Sequence, residues 1–167
     1  PFASIYTSLG CVKKCNFCVI NLINRVNPSL GVSSADSHHM RFWSTEWVLK
    51  QIDILQNQHG VKTLRIADEL FFAFPKHYEP ILNGIIDRKY DLNYWSYSRL
   101  DTTKKRHLEL FKKTGCNYLA LGIEAANQVV RKEIDKGSFK DVDIREVCKE
   151  VKEAGINRGL NYMFGFP

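Results

Sequence analysis

The chain has 167 residues, 44% of them hydrophobic and 25% charged, with a formal charge of +6. That is one domain's worth of material with the composition of an ordinary globular protein, and no stretch approaches the roughly 20 apolar residues that a membrane-crossing helix needs. The Lys and Arg surplus is scattered among acids, with Lys104-Lys105-Arg106 the only tight group, so it reads as solvated helix faces rather than a nucleic-acid footprint.

The chain opens Pro-Phe-Ala-Ser-Ile, without a Met or a basic signal region, which places the expected natural start upstream. Ser4–Ser8 is a short β-prone run. Asn21–Met40, rich in Asn, Ser and His, carries no pattern and reads as a loop over a site. Ser44 or Thr45 caps a helix with Val48, Ile52 and Leu55 on one face, ended by Gly60. Val61–Ala67 is a strand. Pro75 opens a helix with Ile81, Ile85 and Ile86 as its stripe. Leu92–Ser98 alternates as a strand, Thr103–Thr114 is a helix stopped by Gly115, and Asn117–Ile123 is a strand. Helices at Gln128–Asp135 and Val142–Ala154 follow, the second burying Ile144, Val147, Cys148 and Val151, and Ile156–Phe164 is a last strand. Strands alternating with helices predict an α/β fold with a parallel sheet, curled by right-handed crossovers into a partial TIM-like barrel. Chemistry in such barrels gathers at the C-terminal ends of the strands. The cysteines fall just after the first one.

Those residues are Cys11-Val-Lys-Lys-Cys15-Asn-Phe-Cys18. A loop with C-x3-C-x2-C spacing can fold three thiolates around one face of an iron–sulfur cluster, leaving one iron open. A zinc site is the alternative and would need a fourth ligand, from Cys116, Cys148, His38 or His39. Five cysteines, an odd number with three in eight residues, suit reduced thiols in a cytoplasmic compartment better than disulfides. Cys116 and Cys148 otherwise read as small buried hydrophobes, and His59, His77 and His107 as surface residues of helices without partners.

The cysteine loop, with Phe17 before its last Cys, resembles the signature of the radical S-adenosylmethionine (radical SAM) superfamily. Further segments resemble that family in order: "VKTLRIADELFF" at Val61–Phe72, "YWSYSRLD" at Tyr94–Asp101, "GCNYLALGIE" at Gly115–Glu124, "DKG" at Asp135–Gly137 and "GINRGLNYMFGFP" at Gly155–Pro167. Their style is similar to the branch that often carries an upstream cobalamin-binding domain.

The resemblance implies a [4Fe–4S] cluster on Cys11, Cys15 and Cys18 that reductively cleaves S-adenosylmethionine, giving a 5′-deoxyadenosyl radical that takes hydrogen from a substrate. It implies cofactor contacts from Phe17 beside the adenine, the Ala67-Asp68-Glu69 turn, Arg99, Glu124, Lys136 and Asn161. Ala125-Ala126 departs from the family, which often has Ser and Gly there. A flavodoxin- or ferredoxin-type electron donor is expected, and a small-molecule substrate before a nucleic acid. The alternatives are an RNA-modifying, methylthiotransferase-like member, or a non-catalytic zinc or iron–sulfur module. The family's barrel usually has six strands. Residues 1–167 therefore read as a single, incomplete core domain of about five strands, its open edge expected to self-associate, most simply as a twofold dimer.

Overall fold

The computed structural model describes residues 1–13, 15–20, 40–134 and 142–166. Its main sheet consists of β1 (Phe2–Ile5), β4 (Thr63–Ile66), β5 (Asn93–Arg99), β6 (Cys116–Glu124) and β7 (Asn157–Tyr162), all parallel and in that spatial order. A small antiparallel pair, β2 (Ser8–Leu9) with β3 (Arg41–Phe42), stands beside it. The helices are α1 (Thr45–Asn57), α2 (Pro75–Asp87), α3 (Lys105–Lys113), α4 (Gln128–Glu133) and α5 (Ile144–Glu153).

Each crossover is punctuated by local chemistry. Ser44 caps α1 by accepting from the Trp47 N–H, and Asp143 caps α5 by accepting from Arg145 and Glu146. Pro75 occupies the first turn of α2, where its missing N–H costs nothing. Gly115 turns the chain from α3 into β6 at φ +96°, and a Cβ there would meet the Leu92 carbonyl oxygen at 1.9 Å. Only glycine fits.

Strand alternation sorts the sheet into two faces. Leu64, Ile66, Tyr94, Leu119, Leu121 and Ile123 pack against Val48, Ile52, Ile81, Phe111, Val147 and Val151 of the helices, forming the core. Ser4, Arg65, Trp95, Tyr97, Tyr118 and Ala120 occupy the other face. The arrangement is the half-barrel expected from the alternating elements. Two details differ. The α2 stripe is Tyr78, Ile81, Leu82 and Ile85, with Ile86 only half-buried, because the helix keeps a 3.6-residue period rather than placing neighbours side by side. His77, expected on the surface, is buried and hydrogen-bonded to Thr7 at 2.9 Å. His107 likewise has partners, since it lies 3.4 Å from Glu79 and accepts from Arg106. Cys116 and Cys148 are buried on the helix-facing side, as their apolar surroundings dictated. The loop expectation for Asn21–Met40 lies, Met40 apart, outside the described residues.

Candidate cofactor site at the strand ends

The C-terminal ends of the parallel strands surround a recess lined by Cys11, Cys15, Phe17, Cys18, Glu69, Arg99, Glu124 and Asn161, with Lys13, Tyr97, Ser98 and Gly122 among the rest of its wall. Strand direction explains the convergence: parallel strands all present their C-termini to one rim, so residues from five separate segments meet there.

The cysteine loop is fastened at several points. The Gly10 N–H donates to the Glu69 carboxylate at 3.2 Å, and the Cys18 N–H donates to the Cys15 carbonyl at 3.0 Å. Asn16 donates through its side chain to the Glu133 carbonyl at 3.2 Å, docking the loop on the end of α4. Beneath the loop, Asp68 accepts from the Thr7 N–H at 2.7 Å, from the Thr7 hydroxyl at 2.5 Å and from the Ser8 hydroxyl at 2.6 Å. Burial raises the Asp68 pKa above the ordinary carboxylate value, and these hydrogen bonds oppose the rise. Ala67 and Asp68, expected as cofactor contacts, are buried and do not line the recess. Asp68 faces Thr7 and Ser8 instead, because three donors there would otherwise be buried without partners.

At the end of β5, Arg99 grips Asp101 with two nitrogens, at 2.9 and 3.2 Å, and Lys13 joins that carboxylate at 3.4 Å. The remaining arm of Arg99 lies 3.8 Å from the Cys15 sulfur. Thr102 and Thr103 fix this position by donating their hydroxyls to the Arg99 carbonyl at 3.0 and 2.8 Å. Burial pushes the Cys11 thiol above its usual value, while the positive field of Arg99 pulls it down.

Glu124 ends β6 in the left-handed region, φ +65°, beside a register shift between β6 and β7. A non-glycine residue there is strained, and such strain gathers at working sites. The turn that follows, Ala125-Ala126, is held by buried Arg131, whose Nη1 donates to both carbonyls at 2.8 Å. The sequence carried no signal for Arg131. Tyr97 could have been found, since it stands two residues before Arg99 and so shares its face. Lys136, His38 and His39 lie outside the described residues.

The donor set fits an iron–sulfur cluster. Cys11, Cys15 and Cys18 are free thiols bordering one recess. Yet among the described residues no three His, Cys, Asp or Glu side chains are gathered closely enough for a single metal ion. Thiolates that each serve a different iron need not converge on one point, as zinc ligands must. Cys116 and Cys148 stand in the core, away from the recess, and do not complete a zinc set.

Residues 5–167 match the family profile of the Radical SAM superfamily. The chain belongs to that family. Enzymes of this family use a [4Fe–4S] cluster and S-adenosylmethionine. A Pyrococcus horikoshii protein named as an uncharacterized methyltransferase is 27% identical over all 167 residues, which span 34% of that relative. Among solved structures, the radical SAM methyltransferase TsrM from Kitasatospora setae, with cobalamin and a [4Fe–4S] cluster bound, superposes with a TM-score of 0.79 at 20% identity. The match covers 99% of this chain and 31% of that one. The cobalamin-dependent radical enzyme OxsB, with cobalamin and S-adenosylmethionine bound, gives 0.74 at 21% identity, covering 96% of this chain and 23% of its own. These likenesses establish the shared half-barrel. Among the described residues no helix is long and apolar enough to cross a membrane.

Proposed function

We propose that the recess at the strand ends is a radical-generating site in which Cys11, Cys15 and Cys18 hold the cluster and Phe17, Glu69, Arg99, Glu124 and Asn161 hold S-adenosylmethionine. The observation that carries this reading is the gathering of those residues, from five segments of chain, around one recess. When bound, the cluster supplies one electron to the sulfonium, whose C–S bond breaks to methionine and a 5′-deoxyadenosyl radical able to take a hydrogen atom from a substrate.

The chain's own residues bind, orient and shield. Arg99, fixed by Asp101, sets a positive charge beside the Cys15 sulfur. Phe17, ring-packed on Phe166 at 5.6 Å, offers an apolar wall to an adenine. Glu124 and Asn161 provide hydrogen-bonding groups for ribose hydroxyls or an amine. Glu69 spends one oxygen on Gly10 and so ties the cofactor's wall to the cysteine loop. Lys136 is retained as a partner for the methionine carboxylate on sequence grounds alone.

The methyltransferase names of the relatives support methyl transfer as the overall reaction, with cobalamin carried by another part of the protein. Thiols kept reduced and an electron donor of the flavodoxin or ferredoxin type suit a cytoplasmic setting. Anaerobic reconstitution tests the reading: about four irons and matching acid-labile sulfide per chain are expected. Ser at Cys11, Cys15 or Cys18 should abolish them, whereas Ser at Cys116 or Cys148 should not. Zinc without sulfide, or equal loss in the last two variants, would overturn it.

A further inference from the structure

On the inner face of the sheet, Arg65 has no acidic partner among the described residues. Its register neighbours are Ser4 on β1 and Trp95 on β5, and Trp95 in turn aligns with Tyr118 on β6. The guanidinium lies over the rings of Trp95 and Tyr97, 5.2 and 5.3 Å from their centroids. Nη2 donates to the Tyr97 hydroxyl at 3.1 Å, while Nε is buried without a hydrogen-bond partner. Among the described residues no salt bridge reaches Arg65, and the Asp101 carboxylate at the end of β5 is taken by Arg99 and Lys13. A buried donor left unpaired costs free energy, and a guanidinium held against two rings and one hydroxyl is pre-organised.

The Trp95 and Tyr97 rings that Arg65 lies over also line an open concavity of about 510 Å³, completed by Tyr118, Ala120 and Asn161. That size falls in the small-molecule range of roughly 300–1,000 Å³. Gly159 makes the space possible: a Cβ there would stand 1.8 Å from the Tyr118 hydroxyl, so any side chain would push the Tyr118 ring out of the wall. Tyr97, Ala120 and Asn161 also border the cysteine recess, so the two spaces are continuous.

We propose that this cavity is the substrate chamber and that it takes a planar molecule bearing a carboxylate or phosphate, its ring against Trp95, Tyr97 and Tyr118 and its anion on Arg65. Stacking accounts for the aromatic walls, and the uncompensated guanidinium accounts for the anion. Continuity with the cysteine recess puts such a molecule next to whatever that recess holds. The inference deepens the radical-site reading and rests on it for calling the ligand a substrate, but its test needs no cluster.

The probes are indole-3-acetate, phenyl phosphate and the neutral indole-3-acetamide, titrated by calorimetry and saturation-transfer NMR into the intact, cluster-free chain. Both acids should bind, and the amide about tenfold or more weaker. Arg65→Gln should weaken the acids about ten- to a hundredfold, the scale of a charge-assisted hydrogen bond, and leave the amide unchanged. Tyr118→Ala should weaken all three. Equal affinity of acid and amide for the wild-type chain overturns the proposal, as does acid binding that survives Arg65→Gln. If Arg65→Gln fails to fold, the wild-type acid-to-amide ratio decides alone. Iron and sulfide analysis, made separately, decides the radical-site reading, so the two can fail independently.

Discussion

Arg99 holds Asp101 through two hydrogen bonds, Nε to Oδ1 at 2.9 Å and Nη2 to Oδ2 at 3.2 Å, and keeps Nη1 for the sulfur of Cys15 at 3.8 Å. The pair is nearly buried, with side chains 9% and 12% exposed. A carboxylate two residues along the chain thus sets the direction of the cation at the cysteine loop.

Removing either half breaks a nearly buried ion pair: Asp101→Asn takes the carboxylate charge from Arg99, and Arg99→Gln leaves the Asp101 carboxylate to Lys13. Asp101→Asn and Arg99→Gln are each expected to cost about 1–3 kcal/mol in urea unfolding, and the double variant less than their sum. Strict additivity would show that the two do not act as a unit. Asp101→Asn should also weaken S-adenosylmethionine binding in the reconstituted protein, measured by equilibrium dialysis.

Glu124 pays strain for its position at φ +65°. Glu124→Gly should leave thermal stability unchanged or raise it by up to about 1 kcal/mol, because glycine adopts that conformation freely. S-adenosylmethionine affinity should nevertheless fall. A clear loss of stability would assign the side chain a structural task instead.

A proton-sensitive chain runs from His77 through Thr7 to Asp68. With the Thr7 hydroxyl donating to Asp68, His77 Nε2 donates to Thr7. Burial lowers the His77 pKa, so its contribution to stability is present above the ordinary imidazole value and is lost as pH falls through the depressed one. Burial raises the Asp68 pKa, with the opposite sign: that contribution is present below the ordinary carboxylate value and lost as pH rises through the elevated one. Between about pH 7.5 and about pH 5, urea midpoints of His77→Gln should therefore fall less than those of the wild type. An unchanged slope would remove His77 from the account.

Phe111 is fully buried, its ring 3.9 Å from Phe72 and 5.6 Å from Tyr78. Phe111→Ala should cost about 3–5 kcal/mol by calorimetry or denaturant unfolding. A loss below about 1 kcal/mol would mean that α3 can collapse onto the gap.

At the far edge, Leu160, Tyr162 and Met163 are about two-fifths exposed and Phe164 is 95% exposed. Apolar side chains beside an open strand edge favour association. Sedimentation of this chain should show mass rising with concentration, and Phe164→Ser should shift it toward monomer. A clean monomer at high concentration would defeat the expectation.

Local chemistry made much of this protein legible in the sequence. Helix caps, Pro75, Gly115 and the alternation of Tyr94 to Arg99 act through neighbours only a few residues away, so the order of strands and helices follows from reading along the chain. Parallel strands share one C-terminal rim, and that rule, applied to the residues that the family resemblance singled out, predicted that the cysteine loop, Arg99, Glu124 and Asn161 would meet. The cysteine spacing left iron–sulfur and zinc ligation open, and the family resemblance favoured the cluster.

Tertiary structure decided what depends on partners far apart in sequence. Asp68 looked like a cofactor contact until folding placed Thr7 and Ser8, 61 and 60 residues away, against its carboxylate. His77 looked exposed until α2 brought it to the same threonine, 70 residues distant. Arg131 bracing the Ala125-Ala126 turn, and Arg65 lying on Trp95 and Tyr97, left no mark in any pattern. A side chain's desolvation and hydrogen-bond partners are fixed only when the sheet closes on the helices, and those two quantities decide whether a charged group is structural or free to bind.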